Sequence, residues 1–182
     1  EPVGRHRATG GYQRYAWTAE DATCREWFAA EASRRGLDLT VDRNGNQWAW
    51  WGDPAAGGAI AAGSHLDSVP DGGAFDGPLG VVSALAAVDV LRERAVAPAR
   101  PLGIVAFADE EGARFGVACA GSRLLTGDLD PDRARALTDH DGTTMADAMR
   151  TAGHDPAHLG PDRDLLRGFD AFVELHVEQG RG

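Results

Sequence analysis

His65, Asp67, Asp71 and Asp76 fall in one Gly- and Pro-rich segment, residues 63–85, GSHLDSVPDGGAFDGPLGVVSAL. A loop that holds an imidazole and several carboxylates at the end of an apolar run (residues 59–62) is a place for a divalent cation. The mixed nitrogen and oxygen set suits zinc, manganese or cobalt, because calcium and magnesium prefer oxygen alone. Two later stretches repeat the layout: LGIVAFADEEG (102–112) carries Glu110 and Glu111, and DAFVELHVEQG (170–180) carries His176. An Asp can bridge two such ions, one oxygen to each. Asp67, two residues after His65, is placed to accept the imidazole's other N–H and so fix its tautomer. Of Glu110 and Glu111, one can bind metal while the other acts as a base, given a pKa raised by burial and a neighbouring carboxylate.

Taken singly, each feature has a plainer reading. A His-x-Asp is commonly a capped surface turn, a Glu pair is commonly solvated, and His176 alone can be a core histidine. Gly72, Gly73, Gly77 and Gly80 serve turns or cradle a phosphate at a helix N-terminus. The crowd of carboxylates and the missing Walker-type Lys weigh against phosphate. His140, His154 and His158 sit in polar loops and read as solvated. Arg114, Ser122 and Arg123 are candidates for substrate contact that the sequence does not rank.

The elements that must position these groups alternate between strand and helix. Residues 1–15 read as an irregular lead-in. Thr18 caps a helix with Glu20 and Asp21 in its first turn and Cys24, Trp27 and Phe28 on one face, running to about Arg35 and stopped by Gly36. Leu37, Leu39 and Val41 alternate, Asn44-Gly45 marks a hairpin, and residues 47–51 return, with Trp48, Trp50 and Trp51 on sheet faces. Residues 59–64, 102–108 and 171–175 read as buried parallel strands. Pro78 opens a helix to about Arg94, and residues 121–127 form a short helix. Residues 129–142 and 154–167 read as loop, with a helix between them capped by Thr143 and ended by Gly153. This predicts an α/β domain, a mostly parallel sheet flanked by helices. In such sheets ligands bind beyond the carboxyl ends of the strands. His65, Asp76, Glu110, Glu111 and His176 therefore converge in this reading.

Composition narrows the partners. The chain has 182 residues, 43% hydrophobic and 25% charged, enough for one domain with a core. Its net charge of −10 argues against nucleic acid and against an anionic membrane surface. No apolar run approaches the roughly 18 residues of a spanning helix, and no signal-peptide pattern opens the chain. Cys24 and Cys119 lack CxxC spacing and read as reduced, structural cysteines of a cytoplasmic protein. Both ends look cut.

Together, GSHLDSVPDGGAFDGPLGV, FADEEGARFG and ELHVEQG resemble the dinuclear-metal amidohydrolases of the allantoate amidohydrolase and N-carbamoyl-L-amino-acid hydrolase (hydantoinase/carbamoylase) family, within the aminoacylase and carboxypeptidase G superfamily. The resemblance runs from about Ala16 to Gly180. It implies a zinc-exopeptidase-like catalytic domain, here incomplete, with a lid and dimerisation domain lying outside these residues. It implies His65 and His176 on one ion (Zn or Mn, with Co or Ni as alternatives), Asp76 as bridge, Glu111 on the second ion, Glu110 as general base and Gln179 as a substrate contact. It also implies a cis peptide at Asp76–Gly77. The implied reaction is hydrolysis of a ureido C–N bond, in which Glu110 takes a proton from the attacking water and returns it to the leaving amine. Because the family's last metal ligand lies beyond Gly182, one strong metal site is expected in this chain. The alternatives are a metallo-aminoacylase or exopeptidase on the same metal floor, and a non-catalytic metal-binding module.

Overall fold

Among the described residues, five strands build one sheet in the order β1-β2-β4-β3-β5, from β1 (Asp38–Val41), β2 (Gln47–Trp51), β3 (Ala59–His65), β4 (Leu102–Phe107) and β5 (Phe169–Val173). The structure, a computed structural model, describes residues 2–177. β3 pairs in parallel with both β4 and β5, while β2 is antiparallel to β1 and β4. Only β2 is reversed, so the sheet is mixed by pairing and mostly parallel by direction. Six α-helices accompany it among the described residues: α1 (Ala19–Arg34), α2 (Pro78–Glu93), α3 (Ala120–Thr126), α4 (Pro131–Ala136), α5 (Met145–Thr151) and α6 (Arg163–Arg167).

The period-2 alternation of the central strands decides the layers. Ala49, Ile104 and Ala106 face one side, where they meet Phe28 and Ala32 of α1 and Val81, Leu85 and Val88 of α2. Trp48, Trp50 and Val105 face the other side, against Leu125 of α3 and Leu165 and Leu166 of α6. A strand covered on both faces must be apolar throughout, which is why β4 reads LGIVAF. A third cluster, with Trp17, Phe115, Leu124, Met145 and Met149, closes the end of the sheet from which the site loops emerge.

Local caps follow the sequence closely. The Thr18 side chain accepts the Asp21 N–H at the start of α1, and Pro78 is in the first turn of α2. Four expectations are corrected. The hairpin turn is wider than Asn44-Gly45, because Asp42 Oδ1 accepts the N–H groups of Asn44 and Asn46 at 2.9 and 3.0 Å. Residues 129–142 and 154–167 are not wholly loop. Asp130 and Asp162 cap α4 and α6, helices too short to show apolar periodicity. Thr144, not Thr143, caps α5. β5 is not buried: it is an edge strand with only β3 beside it among the described residues, and Phe172 and Val173 are 47% and 60% exposed.

One glycine sets how closely β3 and β4 approach. Gly63 has φ +150°, and a Cβ there would lie 2.0 Å from the Val105 carbonyl oxygen. Neither backbone can give way in mid-sheet. Gly63→Ala is expected to cost about 3 kcal/mol or more, the sum of backbone strain and overpacking. Urea unfolding checks this: a midpoint close to wild type would show that the two strands separate easily.

Candidate metal centre

β3, β4 and β5 run in the same direction, so the residues that follow them share one end of the sheet. His65 ends β3 and is fully buried. Its Nδ1 is 3.1 Å from the Asp67 carbonyl oxygen and 3.5 Å from Asp67 Oδ1. A carbonyl can only accept, so Nδ1 carries a proton and Nε2 is the nitrogen that faces the site. Around Nε2 lie His176 Nε2 and Glu110 Oε2, each at 3.4 Å, and Asp76 Oδ1 at 3.8 Å. His176 Nε2 is 3.0 Å from Asp76 Oδ1. Thus residues from three loops, over a hundred positions apart, meet as the strand pattern predicts.

The Asp67 carboxylate does more than was expected of it. The nearer contact to His65 comes from the Asp67 backbone carbonyl. Its carboxylate oxygens accept the N–H groups of Glu110 and Glu111 at 3.2 and 3.0 Å. Asp67 therefore ties the loop after β3 to the loop after β4. Burial by itself lowers the pKa of His65, but the Asp67 hydrogen bond and charge, with Glu110 and Glu111, outweigh it and raise the imidazole to about 9. A proton and a cation compete for the Nε2 lone pair, so cation affinity falls as pH falls.

Two sets of possible ligands occur among the described residues: His65, Asp76 and His176, and His65, Glu110 and Glu111, each with ligand atoms within 4.8 Å of one another. Glu111 Oε1 is buried with no hydrogen-bond partner among the described residues. Burial pushes the Glu111 carboxyl up; His65 opposes this and Asp76 and Glu110 add to it. An orphaned buried carboxylate oxygen grouped with an imidazole and a second carboxylate is a donor set that a divalent cation satisfies. The residues present fit one.

The Asp76–Gly77 peptide is trans, as there is no cis peptide bond among the described residues. The turn is made instead by Gly77, whose φ of +78° and ψ of −60° give a γ-turn conformation open to glycine. A Cβ at Gly77 would lie 2.5 Å from the His65 ring. Gly77→Ala is therefore expected to displace that imidazole and weaken zinc binding by about 10- to 100-fold, the range for disturbed ligand support. Calorimetric titration measures it, and unchanged affinity would remove His65 from the ligand set.

Glu110 is held from three sides. Its N–H donates to Asp67, its carbonyl accepts the Cys119 N–H at 2.5 Å, and its Oε1 accepts the Cys119 Sγ–H at 3.3 Å. Burial, then the Glu110 carboxylate, push the Cys119 thiol up to about 11, which keeps it a donor. Both cysteines are free. Of the other candidates, Arg114 is committed to Asp139 Oδ2 at 3.1 Å and the Ala16 carbonyl at 2.9 Å, and Ser122 donates to the Cys119 carbonyl at 3.2 Å. Arg123 lies in α3. His140 and His158 are exposed as read, whereas His154 is half-buried edge-on against Trp17. Gln179 lies outside the described residues.

Sequence reasoning missed three buried polar residues. Asn46 Oδ1 accepts the Ala108 N–H at 3.0 Å, and its Nδ2 donates to the Gly121 carbonyl at 3.2 Å. Ser64 Oγ donates to Glu174 Oε1 at 2.5 Å. Asp109 is buried with φ +50°, and burial pushes its carboxyl well above the usual range. No periodic pattern marks a buried polar residue, so only its distance partners reveal it.

Fold and cluster together define an α/β metallohydrolase-type domain. Residues 61–182 match the Peptidase family M20/M25/M40, and the chain belongs to that family of metal-dependent hydrolases. It is 40% identical to an N-carbamoyl-L-amino acid amidohydrolase of Geobacillus stearothermophilus over 98% of this chain and 44% of the relative. It is 35% identical to the allantoate amidohydrolase of Escherichia coli K12 over 94% of this chain and 41% of the relative. A crystal structure of a hydantoinase/carbamoylase family amidase from Burkholderia ambifaria superposes with a TM-score of 0.86 at 36% identity, over 98% of this chain and 42% of that one. The chain thus spans less than half the length of the relatives it matches. Among the described residues no helix is long and apolar enough to cross a membrane.

Proposed function

We propose that the protein hydrolyses the carbamoyl (ureido) C–N bond of allantoate or N-carbamoyl-L-amino acids, and that these residues are the N-terminal part of its catalytic domain. The observation that carries this reading is the convergence of His65, Asp76, Glu110, Glu111 and His176 at one end of the sheet. His65, Asp76 and His176 would hold a first divalent ion, zinc or manganese, and Glu111 would serve a second. Bound there, such ions would supply Lewis-acid polarisation of the scissile carbonyl and a lowered pKa of water. Glu110 accepts the proton of the attacking water and returns it to the leaving nitrogen. Gln179 contacts the substrate. The protein works in the cytoplasm, as a homodimer formed through a domain outside these residues.

Turnover assays on the chain extended to the length of its relatives test this reading. N-carbamoyl-L-amino acids and allantoate are offered beside N-acetyl amino acids and dipeptides. Release of ammonia or carbamate-derived carbon dioxide from the ureido set is expected. Turnover confined to the acetylated or peptide set would instead make the protein an aminoacylase or exopeptidase.

A further inference from the structure

The site loops are gripped by a segment that the sequence pattern leaves featureless. Residues 4–15 fold back on themselves through an isolated bridge between Arg5 and Tyr12, and Tyr12 then pairs with Gly72 in both directions, at 2.9 and 3.0 Å. Thr9 Oγ1 donates to Asp71 Oδ1 at 2.5 Å. Next to them, Arg14 and Ser68 are joined twice: the Arg14 N–H donates to Ser68 Oγ at 2.9 Å, and the Ser68 N–H donates to the Arg14 carbonyl at 3.1 Å. Ser68 Oγ also donates to the Tyr12 carbonyl at 3.2 Å. The Arg14 side chain is 4% exposed, and its Nε donates to the Leu66 carbonyl at 2.7 Å. Arg14 thus holds the residues on both sides of Asp67.

From Asp67 the contacts continue. Its carboxylate accepts the N–H groups of Glu110 and Glu111. The same second loop returns to the segment through Arg114, whose Nη1 donates to the Ala16 carbonyl at 2.9 Å. The circuit closes: Arg14 to residues 66–68, Asp67 to Glu110 and Glu111, Arg114 to Ala16. A guanidinium is costly to bury, and an apolar side chain would fill the same space more cheaply. What Arg14 adds is a directed, charge-assisted bond to the carbonyl next to His65.

We propose that residues 4–17 are a brace that fixes the two candidate metal loops relative to each other, with Arg14 and Ser68 as its positioning residues. Residues 4–17 lie outside residues 61–182, the part matched by the family model, whereas Ser68, their partner, lies inside it. Its consequence for cation binding rests on the function proposed above; the brace itself does not.

The test is backbone amide hydrogen exchange at Glu110 and Glu111, the two donors to Asp67, in the metal-free chain. Wild type is compared with Arg14→Met, with the milder Ser68→Ala, and with Val88→Ala, a buried α2 position away from the brace, as the stability control. Exchange at both amides is expected to quicken about tenfold or more in the brace variants beyond what the control shows at equal global stability. Exchange that merely follows global stability, as in Val88→Ala, would overturn the proposal. Should Arg14→Met not fold, Ser68→Ala decides the matter by the same comparison. Cobalt(II) titration, read by its visible absorption, is the second measurement: weaker binding and an altered spectrum are expected in the brace variants. A wild-type chain that takes up no cobalt would overturn the metal reading and leave the exchange comparison to decide the brace.

Discussion

Glu110→Gln is expected to lower kcat/KM toward ureido substrates by about 10²- to 10⁴-fold, the range of a lost general base. The effect should fall on turnover, with metal content and melting temperature unchanged. The reason is geometric. Oε1 receives the Cys119 Sγ–H, and an amide oxygen still accepts that weak bond, though without the charge assistance of a carboxylate. The backbone of residue 110, held by Asp67 and by the Cys119 N–H, is untouched by the substitution. What disappears is the basic oxygen Oε2, which faces the cluster 3.4 Å from His65 Nε2. A glutamine has no lone pair able to take a proton from water near neutral pH. The variant must be made in a chain extended to the length of its relatives, and zinc content measured beside the rates. A variant that keeps near wild-type turnover would transfer the base to another residue, with Glu111 the next candidate. A variant that loses metal together with rate would make Glu110 a ligand instead, as its grouping with His65 and Glu111 allows.

The sequence displayed the parts of the site that depend on strand direction. β3 and β4 are apolar through their length, so their ends are sharp, and His65, Glu110 and Glu111 stand at or just beyond those ends. Position relative to a strand end is a local property, and local pattern carries it. The Asp67 contacts were legible only in part, because the carboxylate's partners lie on another loop, 43 and 44 residues away. Arg14, Asn46 and Ser64 were illegible for the same reason: each is a polar residue whose burial depends on a partner distant in sequence. β5 shows the opposite failure. Its composition is that of a core strand, but burial belongs to the neighbours, and the strand meets only β3 among the described residues. Gly77 shows a third. The family resemblance implied a cis peptide after Asp76, whereas the peptide is trans and glycine's own dihedral freedom makes the turn.

The dialysed chain is expected to hold about one zinc or manganese ion tightly and a second only weakly, and Asp76→Ala is expected to lose the tight one. Both candidate ligand sets draw on His65. Its Nδ1 is turned to the Asp67 carbonyl, so one nitrogen, Nε2, serves them both. An ion seated with His65, Asp76 and His176 leaves Glu110 and Glu111 without a nitrogen ligand. Two carboxylates alone make a weaker, oxygen-only site for these metals. Asp76 is the carboxylate of the tighter set: Oδ1 is 3.0 Å from His176 Nε2, and its side chain is 8% exposed, so water competes poorly for the position. Its removal takes away the carboxylate that contacts His176 Nε2 and leaves this set two imidazoles only, and affinity should fall by more than the roughly 10- to 100-fold known for lost outer support of a ligand. Elemental analysis of wild type, His65→Ala and Asp76→Ala decides it. Two ions held equally tightly by wild type would mean that Asp76 bridges them without help from a second imidazole. One ion retained in Asp76→Ala would move the tight site to Glu110 and Glu111.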